Sequence, residues 1–304
     1  MTFTAKDVAA LRAKTGCGMM DCKKALAASN GDMDAAVDFL REKGLAAATK
    51  KAGRIAAEGV AYACVNEKED AAVAIEINAE TDFVAKNEEF QKFVKACADT
   101  VMQKAPADLD ALLAEKAVGS DLTIDDLLKE KIQVIGENIK IRRFARLEGV
   151  VTSYVHAGGR IGVIVKFETT PEIAKTDAFK EYAKNIAMQV AAANPSCLNE
   201  ASVPADVTEH EKKILTEQVI NDGKPAAIAE KIVVGRLKKF YKEICLVDQP
   251  YVKDGDLSVQ QYTDSVAKEL GGKIAIQAFV RYEKGEGIEK RSDNFADEVA
   301  GMIH

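Results

Sequence analysis

The chain has no tryptophan, three histidines and six prolines among 304 residues. Aromatics make up only 6%, which disfavours stacking platforms for single-stranded nucleic acid. His156, His210 and His304 lie far apart and leave little material for a metal site or a Cys–His pair. The six cysteines include no C-x-x-C pair, so no zinc spacing is present and they read as reduced thiols of a cytosolic protein. No window approaches the about 18 apolar residues of a membrane span. The start, "MTFTAKDVAALRAKTG", is amphipathic and lacks the apolar run of a secretory signal. A Walker loop is missing too, because "NDGKP" has neither the first glycine nor the serine. "HAGGRIG" faintly resembles an oxyanion-hole segment, but without G-x-S-x-G it reads as a hairpin turn. Carboxylates are plentiful and show no motif-level pairing.

What remains is an ordinary globular balance, 47% apolar and 30% charged, long enough for about two domains. The net charge of −6 argues against binding nucleic acid through phosphate contacts. That charge is uneven. Residues 1–54 hold ten Lys/Arg against six Asp/Glu, so this segment is +4 and the remainder −10. The N-terminal piece therefore reads as a separate module with its own partner surface.

Helix signals support that division. Thr4 caps a first helix carrying Val8 and Leu11, and "TGCG" breaks it. "MMDCKKALAASNG" is a second helix, closed by Asn30 and Gly31. Asp32 caps a third, with Ala36, Val37 and Leu40 inward and Gly44 as its stop. "ATKKAGRIAAEG" then reads as a linker.

An internal repeat follows. "ETDFVAKNEEFQKFVKACA" begins at Glu80 and "ETTPEIAKTDAFKEYAKNIA" at Glu168. Glu80/Glu168 and Thr81/Thr169 are offset by 88, and one inserted residue brings the later pairs, such as Phe90/Phe179 and Phe93/Tyr182, to 89. Two strand-like runs precede each copy: "GVAYACV" and "AVAIEI", then "GVVTSYV" and "IGVIVKF". Each copy is thus a β-hairpin followed by a helix, and the fold class is α+β with a duplicated core. Asn87 and Thr176 sit at matching helix starts. That leaves "TDFVAK" as a loop between strand and cap, where the second copy has "TTPEIAK". Nothing common to the copies requires Asp82 and Phe83. Phe83 either tucks into its own core or protrudes toward a partner.

Residues 206–244 read as helix, tight turn, helix, with Gly223 as stop and Pro225 as start. Val207, Ile214, Val219, Ile228, Ile232 and Leu237 form narrow apolar stripes suited to an antiparallel hairpin. "ICLVDQPYV" and "AIQAFVRYE" read as strands around a helix over 259–270, and "DNFADEVAGMIH" as a last short helix.

Two long stretches, "LRAKTGCGMMDCKKAL" and "EINAETDFVAK", resemble the bacterial elongation factor Ts family. "GENIKIRRFARLEG", "GKPAAIAEKIV" and "FVRYEKGEGIEK" do so as well, so the resemblance covers essentially the whole chain. Ala79 stands where members often carry Cys or Ser, and Asn87 where Asp is common. The resemblance implies guanine-nucleotide exchange on the translation GTPase elongation factor Tu. It implies a cytoplasmic protein that is no enzyme and needs no cofactor or metal. Thr81, Asp82, Phe83 and Val84 would disturb the partner's Mg²⁺ site, and Arg12, Met19, Met20 and His156 would touch the partner. By residue type alone Met19 and Met20 also suit the bundle core, although "GCGMMD", a turn that begins a helix, favours exposure of at least one; His156 is equally a locally bonded turn residue.

The implied divisions are a ubiquitin-associated-like helical module over 1–54, core subdomains over 55–145 and over 146–203 with 243–285, a coiled-coil insertion over 204–242 and a C-terminal module over 286–304. No direct nucleic-acid or membrane partner is implied. A homodimer or a 2:2 complex stays open, because the hairpin can serve a dimer, the partner or both. The competing reading is a ubiquitin-associated-like adaptor or nascent-chain-associated protein without exchange activity, which leaves "TDFV" unexplained.

Overall fold

The structure is a computed structural model that describes residues 3–223 and 226–289, with the backbone alone over 226–229. It is a mixed helix and sheet protein of two compact units. The first comprises Met1–Ala61, Ile75–Phe144 and Glu283–His304, and the second Tyr62–Ala74 and Ala145–Tyr282.

The first unit begins with three helices, α1 (Ala5–Thr15), α2 (Met19–Ala28) and α3 (Met33–Lys51). Thr4 starts α1, its N–H and hydroxyl both donating to the Asp7 carboxylate at 2.7 and 2.8 Å. Asn30 and Gly31 take φ of 53° and 88°, the left-handed turn expected after α2. The Ala35 N–H donates to Asp32 at 2.9 Å, which caps α3. Val8, Leu11, Cys22, Ala25, Leu26, Ala36 and Leu40 close a small core.

Strands β1 (Glu58–Val65) and β2 (Ala71–Ala79) follow, then a one-turn helix α4 (Asp82–Ala85), α5 (Glu88–Lys104), α6 (Leu109–Ala114), α7 (Ile124–Ile135) and β3 (Lys140–Glu148). The sheet order is β1-β2-β3, and the unit boundary falls within these strands. Two expectations fail here. Gly44 does not stop α3, which runs on to Lys51, so the expected linker starts later and is shorter. Gly44 is buried where α3 meets α7; a Cβ there would lie 2.8 Å from Gln133 Oε1. It allows close helix packing and is not a terminator.

The second unit holds β4 (Val150–His156), β5 (Ile161–Glu168), α8 (Pro171–Ala174), α9 (Asp177–Ala193), α10 (Ala205–Asn221), α11 (Ala226–Ile244), β6 (Pro250–Tyr251), β7 (Asp254–Ser258), α12 (Val259–Glu269) and β8 (Ala275–Glu283). β4 and β5 form the expected hairpin, in register from Val150↔Phe167 to His156↔Ile161, and β8 completes the order β4-β5-β8. Helices α10 and α11 pack through Leu215, Val219 and Val233, with Ile232 and Leu237 alongside. Val207, expected in that seam, is exposed, and the Ile228 side chain lies outside the described residues. The expected strand "ICLVDQPYV" is present only in part. α11 continues to Ile244, and turns then bond the Asp248 and Gln249 N–H groups to the Cys245 carbonyl. Fully buried Leu246 anchors this turn in the core, Cys245 makes a single parallel bridge to Cys197, and Pro250 and Tyr251 form the short strand β6. The last helix expected over 293–304, Pro225 and His304 lie outside the described residues.

The repeat is present with a different register. Thr81 and Thr170 both cap one-turn helices, and Asn87 and Thr176 both cap the long helices. The offset is therefore already 89 at the threonines, so Thr81 matches Thr170 and not Thr169. The cap geometry decides this, because only the residue three before the inward Val84 or Ile173 accepts its N–H.

Candidate functional site

The stretch after β2 is a turn of helix, not the expected loop. Thr81 is extended, with φ −126°, and its hydroxyl accepts the Val84 N–H at 3.5 Å. The turn closes through Lys86 N–H to the Phe83 carbonyl at 3.1 Å and Asn87 N–H to the Val84 carbonyl at 2.9 Å. Asn87 Oδ1 then accepts from the Glu89 and Phe90 N–H groups at 2.8 and 3.2 Å and starts α5. A helical turn fixes which side chains face in, as a loop would not. Val84 is buried at 7% exposure, while Phe83 points outward at 80%. Asp82 is exposed, with Lys86 Nζ 3.9 Å away.

The second copy is an internal comparison. Ile173 takes the place of Val84 and is buried, and Glu172 takes the place of Phe83 and is exposed. The position held by Phe83 is thus a solvent position, occupied in the copy by a charged residue. An isolated exposed apolar residue is ordinary. One held outward by a capped turn is a different matter, because its orientation is built. The intramolecular staple is excluded by the exposure of Phe83. Beside it a hollow of about 270 Å³ is lined by Phe83, Val84, Asn87, Glu89, Val134 and Ile135.

The turn is anchored from the segment after α7. The Glu137 carboxylate accepts the Thr81 N–H at 3.0 Å and the Thr81 hydroxyl at 2.7 Å. The Asn138 N–H donates to Glu80 at 2.6 Å, and the Asn138 side-chain amide to the Arg54 carbonyl at 2.7 Å. Sequence reading passed over Glu137 and Asn138, which lie more than fifty positions from Thr81. Their one local signal is Gly136, a left-handed cap at φ 89° that ends α7 and redirects the chain.

β2 carries Glu76, whose carboxylate has no exposure. It accepts from Arg142 at 3.0 Å, Arg143 at 2.6 Å, Asn78 at 3.0 Å and the Gly285 N–H at 2.8 Å. Burial opposes the charge, but the bonds from Asn78, Gly285, Arg142 and Arg143 together outweigh it. They hold the Glu76 carboxyl below its ordinary value.

The remaining predicted residues divide between the units. Arg12 is exposed on α1. Met19 and Met20 open α2 at 47% and 62% exposure, so neither belongs to the bundle core. His156 ends β4 in the second unit, exposed, with Nδ1 3.1 Å from the Tyr154 hydroxyl. Cys22 is fully buried. Among the described residues no group of three or more His, Cys, Asp or Glu is placed to hold a metal ion, and no helix is long and apolar enough to cross a membrane.

The arrangement offers a rigidly presented phenyl ring beside a carboxylate, which suits insertion into another protein. Comparison with known proteins finds relatives along nearly the whole chain. A family described as "Elongation factor TS" matches residues 80–286. Elongation factor Ts of Clostridium perfringens is 51% identical over 303 residues, covering 99% of both chains. That of Trichlorobacter lovleyi is 50% identical, over 99% of this chain and 98% of its own. That of Symbiobacterium thermophilum is 49% identical, over 98% and 97%. Identity of about half over nearly the whole of each chain leads to one conclusion: the chain belongs to the elongation factor Ts family.

Proposed function

We infer that this chain is the guanine-nucleotide exchange factor for the translation GTPase elongation factor Tu, acting in the cytoplasm. Family membership along the full length supports the activity. The mechanism rests on one observation: Phe83 is held 80% exposed on a capped, anchored turn where the second copy carries Glu172. Asp82 and Phe83 enter between helices of the partner's GTP-binding domain, with Thr81 and Val84 fixing the turn. The entry shifts the ligands of the partner's Mg²⁺, which bridges phosphate oxygens and holds the switch regions. GDP then loses a large neutralising charge and leaves. Burying a phenylalanine side chain contributes about 1.5–3 kcal/mol toward parting the helices. No bond is made or broken, so the protein is a binding factor and not an enzyme, with no cofactor of its own.

In this reading the first three helices are a ubiquitin-associated-like module over 1–54, presenting Arg12, Met19 and Met20 to the same partner domain. Methionines suit such a surface because they adapt their shape. His156 touches the partner near the nucleotide site. Subdomains over 55–145 and over 146–203 with 243–285 form the duplicated core, α10 and α11 a coiled-coil arm over 204–242, and 286–304 a C-terminal module. Nucleic acid and membrane take no direct part.

The test is release of a fluorescent GDP analogue from elongation factor Tu. Intact protein accelerates release, while Phe83→Ala and Asp82→Ala lose most of that acceleration at unchanged fold. Acceleration surviving both changes moves the mechanism to the N-terminal module or His156. No acceleration by intact protein refutes the exchange activity.

A further inference from the structure

We propose that Glu137 is a positioning residue that holds the Thr81–Val84 turn in its binding geometry before the partner arrives. The inference rests on the reading in which Phe83 enters elongation factor Tu. A threonine hydroxyl has one hydrogen and two acceptor lone pairs. In Thr81 that hydrogen goes to Glu137 at 2.7 Å, which leaves a lone pair to receive the Val84 N–H. The second oxygen of Glu137 takes the Thr81 N–H at 3.0 Å. One carboxylate therefore fixes both the backbone and the hydroxyl direction of the residue that caps α4. Hydrogen bonds to an ionised acceptor are stronger than neutral ones. Asn138 reinforces the same junction, its N–H donating to Glu80 and its amide to the Arg54 carbonyl.

The duplicated turn explains why a clamp is present. α8 has Pro171 directly after its cap, and a proline ring presets the backbone for the first helical position. α4 has Asp82 there, which supplies no such constraint. A single four-residue turn is marginal on its own, since helix nucleation fixes several dihedrals for one hydrogen bond. With the proline replaced by an aspartate aimed outward, order comes from the side, through Glu137. Glu137 makes no use of Phe83 directly; it sets the direction in which Phe83 leaves the surface.

The experiment compares Glu137→Ala and Glu137→Gln with the intact chain, each alone and combined with Phe83→Ala. Glutamine keeps the volume but offers one acceptor where Thr81 donates two hydrogens. Hydrogen exchange of the Val84 amide reports the turn, and fluorescent-GDP release from elongation factor Tu reports function, as maximal rate and half-saturating concentration. Losing a helix cap shifts a local equilibrium by about five- to tenfold. Glu137→Ala is expected to speed Val84 exchange and to slow maximal release by about that factor, with Glu137→Gln between it and the intact chain. The half-saturating concentration is expected to stay within about twofold, because the N-terminal helices still dock. In the Phe83→Ala background Glu137→Ala should add no further loss, since it acts through that ring. Unchanged Val84 exchange in both variants overturns the clamp. So does faster exchange with undiminished release, or a loss that persists at full size without Phe83. If Phe83→Ala itself leaves release unchanged, the insertion reading falls, and that result is distinct from failure of the clamp alone.

Discussion

Phe83 and Glu172 occupy the same place in two copies of one turn, so the residue and not the architecture carries the difference. Phe83 at 80% exposure contributes little to the fold. Phe83→Ala should therefore leave the melting temperature within about 2 °C of the intact chain, since surface changes shift stability by under about 0.5 kcal/mol. Calorimetry checks this, and a large drop would mean the ring packs somewhere in solution. Glu76 is the opposite case, a carboxylate with no exposure serving structure. Replacing one partner in a buried charged network costs about 3–5 kcal/mol, and the partly exposed arginines place Glu76→Gln near the lower end. Its lowered pKa sets the sign of the pH dependence. The ionised form is favoured in the fold, so its contribution is complete above about pH 4.3, where an unfolded glutamate titrates, and is lost as pH falls through the lower folded value. Denaturant midpoints of the intact chain and Glu76→Gln should converge on acidification from pH 6 to pH 3. A constant gap would contradict the assignment.

The elements explain how such residues are held. Gly285 donates its N–H to Glu76 and takes φ 69°, and an added Cβ would lie 2.0 Å from the Ala57 carbonyl oxygen. Backbone cannot yield as a side chain can, so Gly285→Ala should cost more than about 3 kcal/mol in chemical denaturation. Gly44→Ala should be nearly neutral despite its burial. The 2.8 Å neighbour is the end of the Gln133 side chain, which can swing away, and alanine gains about 1 kcal/mol of helix propensity. A loss above about 2 kcal/mol would mean α7 cannot yield.

How much of this was legible follows from range. Caps at Asp32, Asn87 and Thr176 are local chemistry, and the sequence states them. The alternating runs of β1, β2, β4 and β5 are likewise visible. β3 escaped because "KIRRFARLE" carries charge on both faces, its arginines serving Glu76 and not solvent alone. α7 was missed, although a Thr123–Asp126 capping box precedes Ile124, Leu127, Leu128, Ile132 and Ile135 at helical spacing. The α4 turn reads as loop in the sequence because four residues show no periodicity. Glu137 was missed because its partner is 56 positions away and no pattern joins them. Phe83 was legible as a question, because the second copy has no Asp-Phe; its match to Glu172 needed the register that the caps of α4 and α8 set.

At the scale of the whole molecule, exchange is coupled binding. If the chain loosens GDP on elongation factor Tu, GDP must loosen the chain by the same factor. Titration calorimetry should find the chain's affinity for elongation factor Tu at least about tenfold weaker when GDP is bound, as expected for coupling beyond about 1.4 kcal/mol. Equal affinity for both forms would remove the basis for exchange. In the proposed mechanism exchange depends on the ring that one copy of the repeat presents and the other replaces by a carboxylate. The most direct measurement is stopped-flow release of a fluorescent GDP analogue from elongation factor Tu by the Phe83→Glu chain, which installs the second copy's residue at the matching position. This chain is expected to melt like the intact protein and to fail to accelerate release. Release as fast as with the intact protein would contradict the mechanism.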